Sequence, residues 1–251
     1  MKHIFSHKTY PSLRRDLLGF SFDIPVALEP TPVYKPSKWA VGGSRYAFVE
    51  IGPVTDGTRE IGFKKPSSLV VASNISNMQG RTAAELSRSI TASFSKLYDF
   101  ADLFVLDTFR PDSDNVVALQ NADVLSEVMD SLLESRRFYD SAKPILVRVS
   151  PSISQTALQD IIHYLRMSDA DGIIAGYDCF SPELVTRVYA ITGGRFPLIA
   201  CGGINNPAKA DEILKAGADM IQISRYGTQR IIKHLEKTAA ASETAAHKEK
   251  K

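Results

Sequence analysis

The stretch LIACGGINNPAKADEILKAGADMIQIS occupies residues 198–224 and decides the fold of this 251-residue chain. It opens with an apolar run that ends at Cys201 and continues with two glycines. A segment with helical spacing follows from Pro207, and a second apolar run from Met220 ends at Ser224. A strand, a helix and a second strand in this order predict a parallel βαβ unit with a right-handed crossover.

Short apolar runs of the same kind recur along the chain. We predict strands at 24–28, 47–51, 69–73, 103–107, 145–149, 172–175, 198–201 and 220–223. Most are continuously apolar, as expected of parallel strands that are buried on both faces. Helical patterns fill most gaps, at 82–98, 116–138, 155–165, 182–191, 207–216 and 227–235. Eight alternating units predict an α/β fold, a (β/α)8 TIM barrel, with a doubly wound open sheet as the alternative.

The chain divides into one domain with two short flanking segments. Residues 1–22 are predicted to be an N-terminal segment or hairpin that caps the core, and residues 23–237 form the barrel. Residues 238–251 belong to a charged, low-complexity end that predicts a flexible tail.

Composition limits the classes of function. The net charge of +2 does not favour nucleic acid or a membrane surface as partner. No window approaches the roughly 20 apolar residues of a transmembrane helix, and the N-terminal residues lack the apolar run of a signal peptide. Cys179 and Cys201 have neither disulfide nor metal-ligand spacing, and both are expected to be buried thiols in a cytoplasmic protein.

The glycines after the seventh predicted strand indicate a phosphate site. Barrel enzymes often bind phosphate with the loops after strands seven and eight. Gly202 and Gly203 let backbone N–H groups approach an anion, and Ser224 and Arg225 end the eighth strand. The helix near Gly227 would add its positive N-terminal end. The alternative is that the two glycines only reverse the chain.

Several segments together resemble the dihydroorotate dehydrogenases. The resemblance covers residues 13–236 and lies in the order and spacing of motifs that are individually weak. The segments are LLGF at 17–20, AFVEIGPVT at 47–55, PILVRVSP at 144–151, DGIIA at 171–175 and IACGGINNPAKADEILKAGADMIQI at 199–223.

This resemblance implies an FMN-binding oxidoreductase of pyrimidine biosynthesis. Members of the family pass a hydride from dihydroorotate to FMN while a Ser or Cys base removes a proton. The expected cofactor-binding residues are Thr55, Asn74, Arg148, Gly202, Gly203, Ser224 and Arg225.

The catalytic positions depart from the family pattern. The family's base position is occupied by Arg110, and a guanidinium stays protonated at any accessible pH. Arg148 replaces the family's lysine in the fifth strand, which keeps the charge but not the shape. The Asn-Thr pair that contacts substrate after the sixth strand reads Tyr177-Asp178. The scaffold is thus expected to persist while the catalytic residues have changed.

Other polar residues have more ordinary interpretations. We expect Asp107 and Arg148 to form a structural ion pair across adjacent strands. Asp112 or Asp178 is the alternative candidate for a base, and Cys179 has no histidine beside it that would favour a nucleophile. His163 is expected to be solvated and Trp39 to be a packing residue.

Three functional hypotheses stay open. The first is an FMN-dependent dihydroorotate dehydrogenase-like enzyme. The second is an inactive or repurposed homologue that binds a flavin, a nucleotide or a partner protein. The third is a different barrel enzyme for phosphorylated sugars. The expected partner is a small-molecule substrate or nucleotide, and a homodimer is one option for assembly.

Overall fold

Eight parallel strands close into a barrel in this chain. The computed structural model describes residues 9–31, 46–53, 65, 68–75, 82–108, 119–224 and 227–248. A hairpin of β1 (Arg15–Leu17) and β2 (Phe20–Phe22) precedes the barrel. The barrel strands are β3 (Val26–Thr31), β4 (Val49–Ile51), β5 (Val71–Asn74), β6 (Leu103–Asp107), β7 (Ile145–Val149), β8 (Gly172–Ala175), β9 (Leu198–Cys201) and β10 (Met220–Ile223). Each strand pairs with the next, and β10 pairs with β3, so the predicted TIM barrel is confirmed and the open sheet is wrong.

Six helices are described around the strands. They are α1 (Ala83–Leu97), α2 (Ala122–Arg136), α3 (Gln155–Met167), α4 (Pro182–Thr192), α5 (Pro207–Lys215) and α6 (Thr228–Lys248). Ser181 caps α4 and Asn206 caps α5, each directly before a proline at the start of the helix.

The last five strands agree with the prediction, whereas the first three begin two residues later than predicted. The helix predicted at 116–138 is also shorter. It begins at Ala122 because the Asn121 side chain accepts hydrogen bonds from the backbone N–H groups of Asp123 and Val124.

Two apolar cores flank the strands. The larger lies between strands and helices, and the smaller fills the barrel interior around Phe48, Leu146 and Ile199. Phe22 of the hairpin enters this inner core with its ring centroid 6.4 Å from that of Phe48. The N-terminal hairpin therefore covers the inner core at the end of the barrel where the strands begin.

The C-terminal helix corrects the prediction of a flexible tail. Helix α6 continues through residues 238–248, far beyond the predicted end at residue 235. Alanines have the highest helix propensity, and Ala239 is buried against the outer core, so the helix continues along the barrel wall. None of the helices in the described ranges is both long and apolar enough to cross a membrane.

Candidate functional site

The barrel interior changes from apolar to polar at the carboxyl ends of the strands. Side chains alternate along a strand, so every second residue points into the barrel. The last inward position is Glu50 on β4, Asp107 on β6, Arg148 on β7 and Gln222 on β10, each directly above an apolar residue of the inner core. All four side chains are buried. We call the opening of the barrel at the carboxyl ends of its strands the mouth. A polar layer thus lies directly beneath the mouth, the end at which barrel enzymes place their active sites.

Arg148 is the centre of this layer. Its Nη2 donates to a carboxylate oxygen of Glu50 at 2.6 Å and to the Gln222 side-chain oxygen at 3.1 Å. Its Nη1 donates to Asp107 at 3.1 Å, which confirms the predicted ion pair between adjacent strands. The amide of Asn74 donates to both Glu50, at 3.0 Å, and Asp107, at 3.3 Å. One guanidinium is therefore held by two carboxylates, which the Asn74 amide also joins to each other.

The electrostatics of this cluster keep Arg148 charged. Burial by itself would lower the pKa of Arg148, but the carboxylates of Glu50 and Asp107 outweigh it and raise that pKa well above its ordinary value. Its Nε is buried without an acceptor among the residues that the structure describes. The Tyr177 ring lies above the guanidinium, with 6.0 Å from Cζ to the ring centroid. A buried donor of this kind is unusual and suits a ligand that brings an acceptor atom.

The two glycines after β9 are held tightly against the loop that follows β8. Gly202 has φ +98° and Gly203 has φ +64°, a region that favours glycine. A Cβ on Gly202 would lie 2.7 Å from the carbonyl oxygen of Cys179, and one on Gly203 would lie 2.6 Å from the backbone N of Phe180. A side chain at either position would collide with the loop after β8. The two glycines therefore have a structural role in the turn, whether or not they also bind phosphate.

The loops after β9 and β10 also meet each other, as a phosphate site requires. A Cβ on Gly227 would lie 3.3 Å from the carbonyl oxygen of Asn205. The Thr228 hydroxyl donates to the Ser224 carbonyl at 3.0 Å, which ties the end of β10 to the first turn of α6. Lys209 adds a cation beside these loops, with its Nζ 3.1 Å from the Gly203 carbonyl oxygen.

Glu29 introduces an acidic group on the same side of the barrel. It lies in the second half of β3 and is half-buried. Burial raises the pKa of Glu29 to about 7, although the nearby Gly202 backbone N–H and the charge of Arg148 both act to lower it.

The predicted site residues have different outcomes. Asn74 and Arg148 lie in the polar layer, and Gly202, Gly203 and Ser224 lie in the two loops described above. Arg110, Thr55, Arg225, Asp112 and Trp39 lie outside the described residues. Whether any of these residues binds a cofactor stays a prediction.

The predictions for the remaining residues are mixed. Cys201 is buried, and burial raises the pKa of its thiol, but the prediction that Cys179 is buried is wrong. Cys179 is exposed because the chain leaves the sheet at Ala175 and residues 177–180 form a surface loop. Asp178 is exposed in the same loop, and His163 is exposed on α3, as expected.

Glu29, Glu50 and Gln222 are site residues that the sequence analysis missed. Each interrupts an apolar strand with a single polar side chain, which is the signal that could have identified them. In a strand buried on both faces, such a residue must find partners inside the protein. Their partners come from other strands, so only the closed barrel identifies them.

The curated relatives of this chain are quinone-type dihydroorotate dehydrogenases, and no protein-family model matches it. The enzyme of Christiangramia forsetii is 23% identical over 184 residues, which cover 64% of this chain and 54% of that protein. The Nostoc punctiforme enzyme is 24% identical and covers 72% of this chain and 56% of that protein. The chain thus spans about half the length of these relatives. The Chloroflexus aurantiacus enzyme is 24% identical, and that match covers 84% of this chain and 76% of that protein.

Solved structures agree on the fold. Dihydroorotate dehydrogenase of Eimeria tenella, in complex with ferulenol, superposes with a TM-score of 0.76 at 17% identity, over 92% of this chain and 85% of that one. An aldolase, QR15, superposes with a TM-score of 0.60 at 14% identity, over 86% of this chain and 95% of that one. At these identities the structural similarity establishes the barrel and not the reaction.

Proposed function

We propose that this chain, a divergent relative of the dihydroorotate dehydrogenases, binds FMN at the mouth of its barrel but lacks the base that efficient dihydroorotate oxidation requires. The observation that supports this proposal best is the buried Arg148, which stands at the family's lysine position with a donor that has no acceptor among the described residues. The curated relatives are dehydrogenases of this type, which makes a flavin the first ligand to test.

Two groups of residues at the mouth fit FMN, one suited to the flavin ring and the other to the phosphate. The Arg148 Nε is a donor for a ring carbonyl or ring nitrogen, and the ion pairs to Glu50 and Asp107 hold its guanidinium in one orientation. The Gly203 amide, Ser224 and the first turn of α6 offer the phosphate the positive end of a helix. Thr55 and Arg225 would complete the site, as the resemblance implies. Bound FMN supplies a two-electron acceptor for a hydride.

Proton removal is the step for which this chain lacks the family's base. The family's base position holds Arg110, and an arginine cannot accept a proton in water. Loss of a general base typically slows a reaction by about 10²–10⁴-fold. Asp178 does not replace it as a buried base, because its side chain is exposed. We therefore expect a flavoprotein with little or no dihydroorotate oxidation.

The test is a visible spectrum followed by an anaerobic titration. The purified protein, with FMN added in excess and then removed by gel filtration, should keep a bound flavin spectrum. Anaerobic dihydroorotate should leave that spectrum oxidised for many minutes. Dithionite, added afterwards, should bleach the flavin and show that the bound cofactor can still be reduced.

Two results would contradict the two halves of the proposal separately. A protein that remains colourless after FMN addition does not bind the cofactor at this mouth. Rapid bleaching by dihydroorotate would mean that another group performs the proton transfer, and the Arg110→Ala variant would then show whether Arg110 takes part.

A further inference from the structure

We propose that Lys209 makes the mouth selective for phosphorylated ligands by placing an ammonium group beside the loop after β9. This residue lies in the first turn of α5, outside the positions that the family resemblance implies. The inference rests on the proposed function and names Lys209 as the residue that distinguishes FMN from riboflavin, which has the same ring system and no phosphate.

Lys209 is held against the loop after β9 by two neutral groups. Its Nζ lies 3.1 Å from the Gly203 carbonyl oxygen and 4.7 Å from the centre of the Phe180 ring, which belongs to the loop after β8. The backbone N–H of Lys209 donates to the Asn206 side-chain oxygen at 3.0 Å, the bond that caps α5. The half-buried lysine is thus held at both ends.

The charge of Lys209 has no counterion in the described part of the chain, because no carboxylate there lies within ion-pair distance of its Nζ. Asp211, the acidic residue nearest to it in sequence, pairs instead with His234 of α6 at 2.9 Å. A carbonyl oxygen and an aromatic ring orient an ammonium group without neutralising it. An ammonium has three donors, of which the Gly203 carbonyl takes one, so the others are available to an anion.

The same loop offers a backbone donor close to this charge. The Gly203 N–H donates to no acceptor among the residues that the structure describes. The amide nitrogen and carbonyl oxygen of one residue are roughly 3 Å apart, so a phosphate oxygen bound to that N–H lies within about 10 Å of the Lys209 ammonium. Opposite charges attract at this range near a protein surface, and rotation of the flexible lysine stem can bring them into direct contact.

The experiment compares FMN and riboflavin as ligands of the full chain, through the quenching of flavin fluorescence at constant pH and ionic strength. Lys209→Met keeps an apolar stem and removes the charge, whereas Lys209→Arg keeps the charge. The control is Lys215→Met, because the exposed Lys215 lies at the other end of α5.

We expect Lys209→Met to raise the dissociation constant for FMN about tenfold, as for the loss of one hydrogen bond to a charged group, and to leave that for riboflavin unchanged. Lys209→Arg should keep most of the preference for FMN, and Lys215→Met all of it. A purely structural role of Lys209 would weaken both ligands by the same factor. Equal factors, or no change for FMN, would overturn the inference while leaving FMN binding intact.

Inorganic phosphate is a probe that does not need the flavin ring. It should raise the melting temperature of the wild type relative to chloride at the same ionic strength, and Lys209→Met should lose this increase. If no variant binds FMN, the proposed function fails and the phosphate measurement alone decides the inference. An increase that persists in Lys209→Met, or that the wild type does not show, then overturns it. The same melts, followed by circular dichroism, establish that each variant is folded.

Discussion

The Arg148 guanidinium lies 2.6 Å from a carboxylate oxygen of Glu50, and both side chains are completely buried although 98 positions separate them in the chain. Together with Asp107 they form a network that spans the barrel interior from β4 to β7. This network lies at the carboxyl ends of the strands, the end at which barrel enzymes place their active sites, and its buried charges make it sensitive to substitution.

Removing the cation from this network should destabilise the protein strongly. Arg148→Leu leaves Glu50 and Asp107 buried without their ion-pair partner, and we expect a loss of about 3–5 kcal/mol in the free energy of unfolding. Urea denaturation measures this loss. The control Arg137→Leu breaks an exposed pair with Asp169 and should change stability by less than about 0.5 kcal/mol. Equal effects of the two substitutions would mean that the buried network does not form.

The conformation of Gly202 gives a second prediction. Gly202→Ala places a methyl group 2.7 Å from the Cys179 carbonyl oxygen at a positive φ, and we expect a loss of roughly 2–4 kcal/mol. Gly19→Ala is the matched control, because Gly19 also has a positive φ, of +77°, but nothing lies within 4 Å of its Cβ position. It should cost only about 1–2 kcal/mol of backbone strain. Thermal melts of both variants would show whether the additional cost is present.

Stability should depend on pH through Glu29. The pKa of Glu29 is about 7 in the folded protein and about 4.5 in the unfolded chain, so the folded state binds more protons between these values. Its contribution to stability is therefore present below pH 4.5 and is lost as the pH rises through 7. We expect Glu29→Gln to lose about 1–2 kcal/mol less than wild type between pH 5 and 8, a figure reduced for partial solvent screening. Identical losses in the two proteins would contradict the raised pKa.

The C-terminal helix can be tested with a pair of aspartates. Ala239 is buried and Ala241 is exposed on the same helix, so Ala239→Asp should cost roughly 2–3 kcal/mol and Ala241→Asp much less. Urea denaturation of both variants measures the difference. If residues 238–248 were a flexible tail, the two substitutions would have the same small effect.

The sequence by itself determined the barrel. Strand spacing is local, and the last five strands agree with the prediction to the residue because each is a short, mainly apolar run between segments of helical pattern. The ion pair of Asp107 with Arg148 was also predictable, since the two residues end neighbouring strands. The tail was mispredicted because low complexity outweighed the helix propensity of its alanines.

The tertiary structure alone decided which partners the polar residues have. Glu50 meets Arg148 only because closure of the barrel turns the last inward positions of non-adjacent strands toward a common centre. No local sequence pattern predicts which strands face one another across the barrel interior. The sequence therefore indicated a phosphate loop, whereas only the folded chain brings Glu50, Asp107 and Arg148 together, because charged side chains that are buried in a barrel interior need partners of opposite charge.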